Sequence, residues 1–132
     1  MAMQQSAVNA GVQTATAQRV QTDVAVIRCE GEMGDMELAH IGEELFRLNS
    51  YGYNRVVLDL SNVTHVDYRG LGHLSVQARD LRAGGGDVKL SGLSNYLAAI
   101  LRAAGYEDAF ETYASIDDAK RSFLSSFFCL RH

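Results

Sequence analysis

"RVVLDLSNVTHVDYRGLGHL", residues 55–74, decides the fold. Its first part, Arg55 to Leu60, is nearly continuous apolar and rich in valine, the pattern of a central strand buried on both faces. Leu71, Leu74, Ala78 and Leu81 then recur at helical spacing, so a helix starts inside the quoted stretch. Ser61–Val66 reads as a loop between them, and Asp67 as the helix N-cap. A buried strand feeding an amphipathic helix is the repeating unit of a parallel α/β sheet. The helix start itself breaks local rules. Gly70 and Gly72 each lower helix propensity by about 1 kcal/mol relative to alanine. Arg69 stands where the helix dipole disfavours a cation, at a cost of ~0.3–1 kcal/mol. A start of this kind marks a candidate functional site.

Working outward, Ala17–Gln21 and Val24–Glu30 read as two strands joined by a turn at Thr22-Asp23. Gly31–Gly34 reads as a loop and Asp35 as a helix cap, followed by the stripe Leu38, Ile41, Leu45 and Leu48. Downstream, Gly84–Gly86 closes the central helix. "DVKLSGL" gives a short strand with one wetter face, the side of Lys89. Ser94 can cap a helix carrying Leu97, Ile100, Leu101 and Ala104, closed by Gly105. Ala109–Tyr113 is a weaker last strand. Ser115–Asp118 is a capping-box-like start for a final helix bearing Ala119, Phe123, Leu124 and Phe127. The expected order is β-β-α-β-α-β-α-β-α: a mostly parallel sheet with one antiparallel edge strand and about four helices. Residues 1–16 are expected to be a mobile polar tail and residues 17–132 a single domain.

Composition narrows the function. The chain has 132 residues, the size of one ordinary domain, and a net charge of −4. From Glu30 to Glu44 six acids occur with no Lys or Arg between them, and no basic stripe appears elsewhere, which argues against a nucleic-acid partner. No apolar run reaches the roughly 18 residues of a membrane span, so no direct membrane insertion is expected. The N-terminal stretch lacks the basic and apolar regions of a signal peptide, and a cytoplasmic protein is the expectation. Of the two cysteines, Cys29 shares a strand face with Ala25 and Ile27 and is expected to be a small buried hydrophobe, and Cys129 to pack among Phe127, Phe128 and Leu130.

The motifs carry little catalytic chemistry. "GLGHLS" matches only the start of a dinucleotide fingerprint, since Ser75 replaces its third glycine and six residues separate the strand from Asp67. Nucleotide binding through Gly70 and Gly72 stays as an alternative. His65, Asp67 and His73 lack metal-ligand spacing. Asp67, His65 and Ser75 form a triad by residue type only. No catalytic residue, metal or cofactor is expected, and the protein is read as not an enzyme. Tyr68 and Arg69 instead belong to the types that anchor protein interfaces. Gly70 and Gly72 beside them are read as clearing room for a partner's backbone.

Three stretches carry a family resemblance: "CEGEM", "VVLDLSNVTHVDYRGLGHL" and "DVKLSGLSNYLAAILRAAGYEDAFETYASIDDA". From about Val20 to Phe127 the chain resembles the STAS domain, shared by sulphate transporters and anti-sigma factor antagonists. In the regulatory members the central motif is Asp-Ser/Thr-Ser/Thr-Gly-Leu, and its first hydroxyl is phosphorylated by a kinase-like partner, itself the anti-sigma factor. Asp67, Gly70 and Leu71 match that motif, whereas Tyr68 takes the phosphoacceptor position and Arg69 follows it. In the family's Gly-Glu-Leu-Asp loop, Gly31 and Glu32 match, Met33 replaces Leu and Gly34 replaces Asp, with Asp35 one step on. The resemblance implies a bacterial regulatory module for signalling and transcription that binds an anti-sigma factor or related kinase-like ATPase. The binding surface implied is Asp67, Tyr68, Arg69, Gly70, Gly72, Thr64 and Asp35, without the usual Ser/Thr switch. An accessory subunit of an ABC-type lipid transporter is the other binding role it allows.

Overall fold

The computed structural model describes the backbone of residues 23–131 and the side chains of residues 23–124. Its strands are β1 (Ala25–Met33), β2 (Arg55–Val66), β3 (Asp87–Ser91) and β4 (Glu111–Tyr113). Its helices are α1 (Asp35–Ser50), α2 (Leu71–Ala83), α3 (Asn95–Ala103) and α4 (Ile116–Arg131), with a 3₁₀ turn at Tyr68–Gly70 leading into α2. The four strands lie in the order β1-β2-β3-β4 and every neighbouring pair is parallel. The expected antiparallel strand Ala17–Gln21, the tail 1–16, and the packing of Phe127 and Cys129 lie outside the described residues.

Alternation sorts the side chains to two faces of the sheet. Ala25, Ile27, Cys29, Leu58 and Leu90 join Leu45, Leu74, Leu81 and Leu97 of the helices in the main core. The opposite face carries a smaller cluster of Val57, Ala119 and Phe123, with Val24, Val26, Tyr113 and Ile116 against it. Cys29 is buried, and burial, helped by the charge of Asp59, raises its thiol pKa to about 12. The core keeps a cavity of about 20 Å³ lined by apolar side chains, among them Cys29, Met33, Leu71 and Phe110. That is close to the space of a single water and too small for a ligand.

Several sequence expectations need correction. Gly31–Gly34 is not a loop, because β1 runs on to Met33. Ser61–Val66 is not a loop either, because β2 runs on to Val66. The two strands stay paired to Met33↔Val66 through register shifts after Arg28 and Gly31. Polar residues in that extension face solvent while Val63 and Val66 are buried, a two-sided pattern mistaken for loop composition. Asp35 is not the cap of α1. Gly34 is the cap, and its N–H donates to Glu37 Oε1 at 3.0 Å. Ser94 does cap α3, accepting from Leu97 N at 3.1 Å, and Ser115 Oγ accepts from Asp118 N at 3.0 Å. The last strand starts at Glu111 rather than Ala109.

Lys89 is the largest departure. The side expected to be wet is buried, and Lys89 is only 4% exposed. Its ammonium donates to Ser122 Oγ at 2.7 Å and lies 3.1 Å from Glu111 Oε1. It also sits 4.2 Å from the centre of the Phe123 ring and 5.6 Å from that of Tyr113. One buried cation thus joins β3, β4 and α4, with an ion pair and aromatic faces replacing water.

Candidate functional site: the exposed end of the second strand

Because β2 runs to Val66, only Asp67 separates it from the 3₁₀ turn. Asp67 N–H donates to Met33 O at 2.9 Å, which ties the turn to the end of β1. Its carboxylate accepts from Arg69 three times: from the backbone N–H at 2.9 Å, from Nε at 3.1 Å and from an Nη at 2.8 Å. These bonds, with the guanidinium charge, hold the Asp67 pKa down at about 2. Arg69 therefore faces no bare helix dipole; its charge is matched two residues away. Outside this clamp Tyr68 is 62% exposed, and the Arg69 side chain 72%.

Gly70 does not clear room for a partner. It is buried, and a Cβ there would lie 2.6 Å from Leu38 Cδ1 and 3.2 Å from Asp35 Cα. Its missing side chain lets the turn approach α1. Gly72 is half-buried, and a Cβ there would meet only the Tyr106 hydroxyl, at 3.7 Å. Asp35 opens α1, and its carboxylate lies 3.3 Å from His73 Nε2 on α2. Thr64 is exposed on the β2 extension. The structure brings Asp35, Asp67, Tyr68, Arg69 and Gly70 to one end of the sheet, with Asp67 and Gly70 positioning the turn rather than presenting themselves.

Sequence reasoning missed Tyr96. Its hydroxyl and His65 Nδ1 are 2.7 Å apart, and the two rings lie 5.8 Å apart. The contact spans 31 residues, so no local spacing could signal it. Together the end of β2, the turn and α3 form an open groove of about 810 Å³. Val66, Ile100, Ala103 and Ala104 give its apolar lining, and His65, Asp67, Tyr68 and Arg69 its polar one.

The same geometry weighs on the chemical alternatives. Asp67 is engaged by Arg69 and His65 by Tyr96, so neither is joined to Ser75 in a relay. Among the described residues no group of three or more His, Cys, Asp and Glu is placed to hold a metal ion. The tight strand-to-turn connection removes the spacing objection to a dinucleotide turn. Gly70 nonetheless packs against Leu38 instead of leaving the turn open. Among the described residues no helix is long and apolar enough to cross a membrane.

The model of one family, the STAS domain, matches residues 15–119. The chain belongs to the STAS domain family. Solved structures share its fold at low identity. SpoIIAA, an anti-sigma factor antagonist from Bacillus, matches in its unphosphorylated form with 19% identity, covering 79% of this chain and 88% of its own, at a TM-score of 0.64. The STAS domain of a SulP transporter from Vibrio cholerae is 19% identical, covering 96% and 98%, at 0.65. A sulfate transporter family protein from Wolinella succinogenes is 18% identical, covering 77% and 88%, at 0.66. Fold similarity to this STAS chain does not separate the regulatory setting from the transporter one. Any distinction rests on residues at the site.

Proposed function

We propose that this STAS chain is a non-catalytic, cytoplasmic regulatory module of a bacterial cell that docks an anti-sigma factor or related kinase-like ATPase. The observation that carries the reading is the pair Tyr68 and Arg69. Both side chains are exposed at the end of the sheet, on a turn fixed from below by the Asp67 clamp and the Gly70–Leu38 contact. An exposed aromatic and an arginine on a pre-set backbone lose little freedom on binding, which favours an interface anchor. With Tyr68 where regulatory relatives carry Ser or Thr, the module works without the usual phosphorylation switch.

Binding and melting measured on the same variants test this. Tyr68→Ala and Arg69→Ala should each weaken binding of the purified anti-sigma factor from the same genome by tenfold or more, equivalent to about 1.4 kcal/mol or above. The melting temperature should stay near that of the parent, as for ordinary surface substitutions. Unchanged binding in both variants overturns the reading. So does a much earlier melt for Tyr68→Ala, which would make Tyr68 a packing residue.

A further inference from the structure

The docking pair occupies only one wall of the groove between the end of β2 and α3. We infer that this groove seats an amphipathic helix of the same protein partner, with an uncharged apolar stripe turned inward and lysine or arginine on its outer flank. The inference rests on the docking reading and adds the second half of the surface and the chemistry of what fills it.

The lining argues for the apolar stripe. Val66, Ile100, Ala103 and Ala104 supply apolar surface, and the two alanines are short enough for a backbone to come close. The charges around them are already matched. Arg69 is clamped on Asp67 at 2.8 Å, and Arg102, next to Ala103, lies 3.3 Å from Glu107. His65 is bonded to the Tyr96 hydroxyl. A charged side chain entering here would be desolvated without a free counter-ion, whereas an apolar one would not. Tyr68, 62% exposed, stands on the turn side of the groove as an aromatic contact.

The wall on the α3 side argues for a helix. Ile100 and Ala103 stand three residues apart on α3, the i±3 spacing of a ridge that packs into the grooves of another helix. Charge complementarity argues for the basic flank. Beyond the β2 wall, β1 carries exposed Glu30 and Glu32, in register with Asn62 and His65. No Lys or Arg occurs between Arg28 and Arg47 to offset them. A partner helix in the groove would bring its outer flank towards this acidic edge.

Photo-cross-linking to the purified anti-sigma factor tests the inference. Benzoylphenylalanine is placed singly at position 68, at position 103, and at position 79 on the exposed side of α2 as control. Adducts from positions 68 and 103, with position 103 mapping to an amphipathic helix rich in Lys or Arg, are the expected result. Glu32→Lys should then weaken binding at least threefold at low salt and less at high salt. Ala103→Glu, at an exposed position, should weaken it tenfold or more without an earlier melt. Adducts from position 68 alone leave the docking reading standing and overturn the groove. No adduct from either position overturns both. Adducts at position 103 to a second copy of this chain, or to a loop or acidic segment of the partner, also overturn the inference.

Discussion

Gly70 lies against Leu38 so closely that a Cβ added to it would stand 2.6 Å from Leu38 Cδ1 and 3.0 Å from Leu38 Cβ. The turn that carries Tyr68 and Arg69 is seated on α1 by this contact. Its φ is −87°, so the position needs glycine for space and not for backbone conformation.

Gly70→Ala should therefore destabilise the fold. Overpacking of this kind costs about 1–3 kcal/mol, against a propensity gain of at most about 1 kcal/mol. Gly72→Ala meets only the Tyr106 hydroxyl at 3.7 Å and should be neutral or stabilising by up to about 1 kcal/mol. Urea unfolding of the two variants checks the contrast. Equal stability would mean that the turn can lift from α1 at no cost.

The Asp67 clamp predicts a pH signature. Its carboxyl has a pKa of about 2 in the folded chain against an ordinary 3.8. The folded state thus binds the proton less readily, and the contribution to stability is full above about pH 4. It is lost as the pH falls through about 2. The side-chain carboxyl resonance of Asp67 should titrate near 2, and in Arg69→Ala it should move up towards the ordinary value. The backbone N–H of residue 69 still donates in that variant, so the return is partial. An unchanged pKa in Arg69→Ala would remove the clamp.

Lys89 separates charge from packing. Lys89→Ala deletes the stem under Phe123 and should cost about 2–4 kcal/mol. Lys89→Met keeps most of that volume and removes the need to bury an ammonium, so it should cost less than about 1.5 kcal/mol. Chemical unfolding of both variants reads the difference. If Met is as damaging as Ala, the ion pair with Glu111 and the bond to Ser122 hold α4, not the aliphatic stem.

Cys29 should be inert. With its pKa raised to about 12 by burial, the thiolate is scarce at neutral pH and the sulfur is covered. Iodoacetamide at pH 8 should leave the Cys29 peptide unmodified in the folded chain and alkylate it fully in denaturant. Rapid native modification, followed by mass spectrometry of that peptide, would show that β1 opens readily.

The layered core was legible from periodicity, since Leu38, Leu45 and Leu48 on α1 and Leu71, Leu74, Ala78 and Leu81 on α2 are all buried. The extension of β2 was not, because Ser61, Asn62, Thr64 and His65 have loop-like composition and their strand pairing comes from distant β1. Lys89 failed for a related reason. Its burial is decided by Ser122 and Phe123 on the last helix, which local alternation cannot see. At the site, the exposed Tyr68 and Arg69 follow from their place at a helix start. The inward role of Gly70 and the His65–Tyr96 contact depend on tertiary packing alone.

β3 ends at Ser91 opposite Asp59, and the chain then leaves the sheet through Gly92, whose φ of +74° lets it pass close over Ser61. β1 and β2 alone continue to Met33 and Val66. Mechanically this exposed end is a two-stranded beam, rooted where Asp59 meets Arg28 at 3.6 Å and Ser91 Oγ at 3.5 Å and propped near its tip by Leu38 of α1 and Tyr96 of α3. A load applied at Tyr68 is shared between those props and the root at the centre of the sheet. The props thereby limit how far the tip can travel, while amide exchange along β2 should quicken past Leu60, where β3 no longer pairs with it.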